Sequence, residues 1–224
     1  MVNDSQYEEI GAEFIDGQRK YFSTKTDHAR EFIRSRLPDL SGKAVLDVGC
    51  GHGSDILTYE KLGAREVYGI DISSFMIEEA KKVVKSPDNL FVGSMDSIPL
   101  GDRSIDVIVG RFSLHYLSEL DKAYEEFARI LNDDGSLIAV AHHPLKSFVQ
   151  TGSRDYTNKD NVEMQLYDNK VTIRFPHHTL KEFFSDAFFG LFYLDYLDEE
   201  SSIDPEYPNE QNLPGYLAFK AIKR

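Results

Sequence analysis

Gly49, Gly51 and Gly53 close the apolar run Ala44-Val45-Leu46-Asp47-Val48, and Asp71 stands twenty residues beyond Gly51, at the end of a second run, Val67-Tyr68-Gly69-Ile70. Glycines at such a place let the backbone bend sharply and approach a ligand, and the start of the helix that follows offers free amide donors. An acidic side chain at the tip of the second strand can accept both hydroxyls of a ribose lying across the strand ends. Together these residues point to a nucleotide-type ligand, either a dinucleotide or an adenosine sulfonium. A dinucleotide turn requires Gly-x-Gly-x-x-Gly/Ala. Position 54 is Ser, and the pattern present is Gly-x-Gly-x-Gly with Asp47 just before it. The spacing therefore speaks against an NAD(P)-dependent oxidoreductase.

Histidine titrates near neutrality and can act as a base. His115 follows a fourth apolar run and His142-His143 end a fifth, both at the edge where ligands bind in open α/β sheets. On position alone His115 is the first candidate for a base and His143 the second. Tyr21, Tyr116 and His142 are the candidates for acceptor contacts. His177-His178 precede a helix and read as turn residues. No zinc site is expected from one cysteine and no His-x-x-x-His, and no Gly-x-Ser-x-Gly hydrolase elbow is present.

The elements that must hold these residues alternate. Residues 26–37 have helical spacing stopped by Pro38, and 44–48 form a strand. A helix runs from about Ser54 to Gly63, and a short strand ends at Asp71. Ser73 or Ser74 caps the next helix. Leu90–Val92, Ile105–Val109 and Leu137–Ala141 are three further strands, with a helix before the last opened by Ser118 and Asp121 as a capping box. Residues 145–175 are polar and irregular. Thr179 with Glu182 opens one helix carrying Leu180, Phe183, Phe184, Ala187 and Phe188 inward, and Phe192–Leu197 and Tyr216–Ile222 form an antiparallel pair around an acidic loop at 198–214. Closely spaced parallel strands need crossover helices, so the pattern predicts an α/β fold with a mostly parallel sheet and helices on both faces.

The glycine turn with its preceding Val45-Leu46-Asp47-Val48 closely resembles the first motif of class I S-adenosylmethionine-dependent methyltransferases of the broad small-molecule, type 11 kind. Further matches follow in order. Tyr68–Ser73 resembles the ribose-binding second strand, Gly93-Ser94-Met95-Asp96-Ser97-Ile98-Pro99-Leu100 the adenine-contacting stretch, Ser104–Leu117 the fourth strand and its loop, and Leu131–Leu137 the approach to the fifth. The resemblance covers about residues 26–144 and returns at the C-terminal strands. It implies a seven-stranded Rossmann-like sheet in the order 3-2-1-4-5-7-6, the last strand antiparallel, and S-adenosylmethionine as cofactor with S-adenosylhomocysteine as product. By the same resemblance Gly49 and Gly51 pack against the methionine and ribose portions, with Asp47 and Cys50 in the same motif. Asp71 binds the ribose, with Ile72 beside it. Asp96 meets the adenine amino group, Met95 flanks the ring, and the backbone around Arg111 meets the amino-acid end. Gly110-Arg111-Phe112-Ser113 departs from the Asn/Asp-Pro-Pro-Tyr/Phe of enzymes that methylate base amino groups.

Length and composition bound the rest. The 224 residues suit one domain, with residues 1–40 as a helical lid and 145–175 as an insert beside the acceptor pocket. A net charge of −13 disfavours nucleic acid and anionic membranes as partners and leaves a small-molecule acceptor. The single cysteine and a start without a basic or apolar leader suggest a cytoplasmic enzyme. A cofactor-binding protein without activity is the other alternative. Four separate features, Asp47, the glycine turn, Asp71 and Asp96, argue against it.

Overall fold

The computed structural model describes residues 6–167, 169–200 and 213–224, so the first residues of the expected lid and most of the acidic loop lie outside the described residues. The central sheet has seven strands in the order β3-β2-β1-β4-β5-β9-β8. These are β1 (Ala44–Val48), β2 (Glu66–Asp71), β3 (Leu90–Val92), β4 (Ile105–Arg111), β5 (Leu131–His142), β8 (Phe192–Glu200) and β9 (Tyr216–Lys223). With β6 and β7 set aside as an insert, this is the expected order, and only β9 runs antiparallel, between β5 and β8. Helices α3 (Ile56–Lys61), α4 (Ser74–Lys81) and α5 (Leu120–Ile130) lie in the links between successive parallel strands.

All five residues of β1 are buried, which fits a strand covered on both faces. Leu46, Ile108, Leu137 and Phe219 point to one face, where Tyr124 and Phe127 of α5 cover them. Val45, Val107, Ile138 and Ala218 point to the other, beneath Phe32 and Ile33 of α2 (His28–Arg36) and Tyr59 of α3. Ser73 caps α4 by accepting from Met76 N at 3.2 Å, as its position suggested.

Two local expectations change. The helix α5 is capped at Glu119 without a side-chain bond, and Asp121 instead accepts from Ser185 Oγ at 2.6 Å, so the Ser118–Asp121 box does not form. The Thr179–Glu182 box does form, but its helix splits into α7 (Leu180–Phe183) and α8 (Asp186–Leu191). Phe184 leaves the helical region, and Ser185 recaps the chain by accepting from Phe188 N.

The larger difference is the insert. Where irregular chain was expected, α6 (Pro144–Thr151) leads to an antiparallel hairpin of β6 (Asn161–Leu166) and β7 (Val171–Pro176). Val162, Met164, Val171, Ile173 and Phe175 share one buried face of it, and α1 (Gln6–Tyr21) covers that face with Tyr7, Ile10 and Phe14. An isolated two-stranded hairpin is marginal in water, so α1 supplies the apolar partner it needs. The Gln6 amide binds both backbone groups of Arg174 at 3.0 Å, and Glu8 accepts from Phe75 N and Ser73 Oγ at the start of α4. Thus α1 bridges the hairpin and α4 above the carboxyl ends of the sheet.

Candidate active site

The glycine turn is anchored first by its own backbone. Gly49 N and Cys50 N both donate to Ile70 O, at 2.8 and 3.1 Å. Gly49 has φ of +69°, and a Cβ there would lie 2.4 Å from Ser113 Cβ, so only glycine lets the loop after β4 pack this close. Gly51 has φ of +52°, and a Cβ there would meet nothing within 4 Å. Open space lies in front of it. Asp71 is tied to this turn, since Oδ2 accepts from Gly51 N at 2.8 Å and Oδ1 from Ser73 N at 2.9 Å. Burial raises its carboxyl pKa, and the two amides offset part of that rise.

Beneath the turn lies a buried ion cluster. Arg111 Nε donates to Asp55 Oδ2 at 2.6 Å, and Arg30 Nε donates to Asp55 Oδ1 at 2.7 Å. Arg111 also stands 3.5 Å from Asp27, which caps α2 by accepting from Arg30 N. Burial pushes the Asp55 carboxyl up, but the two guanidinium groups outweigh it and hold the group below its ordinary value. Among the described residues Asp47, 3% exposed, has no such pairing. Burial and then the charge of Asp55 push it well up, with Arg111 opposing. Arg111 therefore does more than offer its backbone, because its side chain joins β4, the turn and α2.

A cavity of about 1930 Å³ opens over these groups. Asp47, Gly49, Cys50, Gly51, Asp71, Ile72, Met95, Asp96 and Arg111 line it, and so do Tyr21, Tyr116 and His142. Tyr116 Oη lies 2.6 Å from Tyr7 Oη of α1, and burial raises both phenols. His142 stacks on Phe175 at 5.1 Å and lies 5.0 Å from Phe112; burial, and then the charge of Lys146, push its pKa down to about 3.

The two histidines expected to act as bases do not line the cavity. His115 is 2% exposed and packed against Tyr116, Phe175 and His142, with neither ring nitrogen hydrogen-bonded. Burial and then His142 and His178 push its pKa well below the ordinary value. His143 is fully buried and caps α6: Nδ1 accepts from Leu145 N, and Nε2 lies 2.7 Å from Glu199 Oε1. Position along a strand end locates the Cα but not the direction of the ring. Conversely His177 and His178, read from sequence as turn residues, are buried and line the cavity, as does Gln150 of α6. Among the described residues no group of three or more His, Cys, Asp or Glu side chains is arranged to hold a metal ion. No described helix is long and apolar enough to cross a membrane.

Residues 46–139 match the family model described as a methyltransferase domain. An uncharacterised protein of Haemophilus influenzae is 28% identical over 84% of each chain. The aklanonic acid methyltransferase DauC of Streptomyces sp. is 32% identical, covering 60% of this chain and 59% of its own length. In structure, an S-adenosylmethionine-dependent methyltransferase from Listeria monocytogenes superposes with a TM-score of 0.73 over 87% of this chain and 96% of its own, at 23% identity. With the seven-stranded order and the glycine turn tied to Asp71, these likenesses identify an enzyme that uses S-adenosylmethionine. Residues 46–139 are a methyltransferase domain, and the fold is that of the class I S-adenosylmethionine-dependent methyltransferases.

Proposed function

We propose that the chain methylates a small-molecule acceptor inside this one cavity, as a cytoplasmic enzyme of a single domain with residues 1–40 as lid and 145–175 as acceptor-side insert. The observation that carries the reading is the cavity itself. Drug-sized ligands occupy pockets of about 300–1,000 Å³, and some 1930 Å³ has room for a cofactor and an acceptor of similar size. Its two walls differ in kind. The sheet side carries the glycine turn and carboxylates, whereas the roof is rich in aromatics such as Tyr7, Phe14, Tyr21 and Tyr167. The Streptomyces relative is named for aklanonic acid, a small molecule. The net charge of −13 weighs against nucleic acid and anionic membranes.

In this reading Asp71 accepts the ribose hydroxyls, and Gly49 and Gly51 keep the turn free of side chains beside the ribose and methionine portions. Asp47 and Cys50 shape the floor of the turn. Asp96 accepts from the adenine amino group, Ile72 and Met95 flank the ring, and the backbone near Arg111 meets the amino-acid end. The open space before Gly51 and the double-amide anchoring of Asp71 both suit that ligand. When bound there, the cofactor supplies a methyl already activated on a sulfonium. What remains for the protein is alignment and exclusion of water, and holding the nucleophile in line is worth up to roughly 7–11 kcal/mol. Tyr21, Tyr116 and His142 are the groups we assign to acceptor contacts. His142, held neutral by burial, offers a hydrogen bond and is a weak base.

Calorimetry with S-adenosylhomocysteine and with NAD tests the cofactor. Binding of the first and not the second is expected, with Asp71→Ala weakening it by about 1–3 kcal/mol as the ribose loses a charged acceptor. Unchanged affinity in that variant would refute the placement. Transfer of labelled methyl to a panel of small hydroxyl and amino compounds tests catalysis, and transfer only to nucleic acid or protein would overturn the small-molecule reading.

A further inference from the structure

Tyr7 of α1 and Tyr116 of the turn after β4 both line the cavity, and their phenol oxygens lie 2.6 Å apart. Two hydroxyls carry two protons, and only one proton fits between the two oxygens. The other needs an acceptor of its own. Among the described residues neither oxygen has a second hydrogen-bond partner. Both side chains remain partly exposed, so the unspent proton lies where a ligand can take it. Either phenol can donate across the contact, which leaves the direction to be set by the ligand.

Which ligand follows from where Tyr7 stands. Its neighbour Glu8 accepts from Ser73 Oγ at 3.0 Å and from Phe75 N at 3.2 Å. Ser73 N in turn donates to Asp71 Oδ1 at 2.9 Å. The backbone at Tyr7 is thus pinned one link away from the carboxylate assigned to the ribose. Here α1 lies hard against α4, since a Cβ on Gly11 would come 2.5 Å from the Phe75 ring. Burial raises both phenols, and the charge of Asp71 adds to the rise, so Asp71 is close enough to act on each. The chemistry is complementary. Asp71 only accepts, and a ribose hydroxyl that donates to it keeps lone pairs of its own. A phenol O–H can bond to those lone pairs, and an ionised carboxylate cannot.

We propose that Tyr7 donates its phenolic proton to a ribose hydroxyl of the cofactor held on Asp71, and that Tyr116 is the positioning residue that donates to Tyr7 and aims it. This rests on the methyltransferase reading of the same cavity. It goes beyond that reading by adding a residue of the lid to the cofactor contacts. Coupling between two binding events is reciprocal, so a cofactor that gains from a docked α1 also holds α1 down.

The test measures binding of S-adenosylhomocysteine and of its 2′-deoxy and 3′-deoxy analogues to the full chain by calorimetry. When the accepting hydroxyl is removed, the wild type loses both the Asp71 and the Tyr7 contact, whereas Tyr7→Phe has only the first to lose. Tyr7→Phe should therefore weaken S-adenosylhomocysteine about five- to tenfold, the loss of one hydrogen bond. It should also shrink the penalty for one of the two deoxy analogues by the same factor. Tyr116→Phe should shrink that penalty less, because Tyr7 keeps its proton and loses only its aim. Hydrogen exchange of residues 6–21 should slow when S-adenosylhomocysteine binds the wild type, and should slow less in Tyr7→Phe. Equal weakening of all three ligands in Tyr7→Phe would make the phenol a mere strut for α1 and overturn the proposal. So would unchanged affinity in that variant, or exchange in α1 of the wild type that S-adenosylhomocysteine leaves unaltered. Failure of the wild type to bind S-adenosylhomocysteine would instead sink the cofactor reading.

Discussion

Replacing Arg111 by Met removes a buried cation and keeps most of its volume, so the loss is electrostatic. Arg111 is 11% exposed in its side chain, and Asp55 and Asp27 are each 9% exposed. Removing one partner of a buried pair costs about 3–5 kcal/mol, because the charge left behind is uncompensated. Asp55 keeps Arg30 on its other oxygen at 2.7 Å, which places the expected loss near the lower end, at about 3 kcal/mol. Asp27 Oδ2 already lacks a hydrogen bond, and its remaining cation, Arg30, is 3.9 Å away. The pH dependence has a definite sign. In the wild type the Asp55 carboxyl is depressed by its guanidinium partners, so its stabilisation is present above the unfolded value near 4 and is lost as pH falls through the folded value. Without Arg111 both Asp55 and Asp47 rise and take up protons more readily, so the penalty must shrink on acidification. Urea unfolding of both proteins at pH 7.5 and 4.5 measures this directly. A penalty under about 1 kcal/mol at pH 7.5, or one equally large at pH 4.5, would contradict the picture of a buried charge cluster.

Four further outcomes are expected. Gly49→Ala forces a Cβ to within 2.4 Å of Ser113 Cβ at positive φ and should lower the urea midpoint sharply, whereas Gly51→Ala faces open space. The latter should cost about 1–2 kcal/mol of folding stability from its left-handed backbone alone, yet weaken S-adenosylhomocysteine at least tenfold in calorimetry. Asp71→Asn retains a carbonyl for one backbone amide, so it should fold better than Asp71→Ala in thermal melts while still binding the cofactor product more weakly than wild type. His115→Phe removes two unbonded buried nitrogens and should raise stability by about 1 kcal/mol or more, roughly 2–4 °C in Tm, without loss of cofactor affinity; a lower Tm would count against the orphaned ring. Glu8 is held below its ordinary pKa, chiefly by the Phe75 amide, so docking of α1 should weaken as pH falls below about 4. Hydrogen exchange of residues 6–21 across that range should report it, and Glu8→Gln should show fast exchange already at pH 7.

The sheet and the cofactor side of the site were legible because their signals are local. Asp47, the glycines and Asp71 lie within one strand–turn–helix–strand unit, and the turn's backbone geometry follows from residue types alone. The hairpin's signal is local too. Val162, Met164 and Leu166, then Val171, Ile173 and Phe175, alternate with polar residues at period two on either side of a short turn, the pattern of a half-buried strand pair. Its polar face and its place after Pro144 give the same stretch the composition of a loop. The acceptor side was not legible in the same sense. The rings of His115 and His177 turn different ways, set by Phe175 for the first and Tyr156 for the second, each from a distant part of the chain. The Arg111–Asp55–Asp27 cluster likewise joins residues 28 to 84 positions apart, and no spacing rule connects them.

The amide of Gln6, bound to both backbone groups of Arg174, stands in for one residue of a third strand along the outer edge of β7. An unpaired strand edge is a template for another chain. When α1 undocks, that edge and the apolar face beneath Tyr7, Ile10 and Phe14 are uncovered together. The undocked state is thus the state most prone to self-association. A ligand that holds α1 down should therefore slow aggregation on storage or heating by more than its binding energy to the sheet alone would explain.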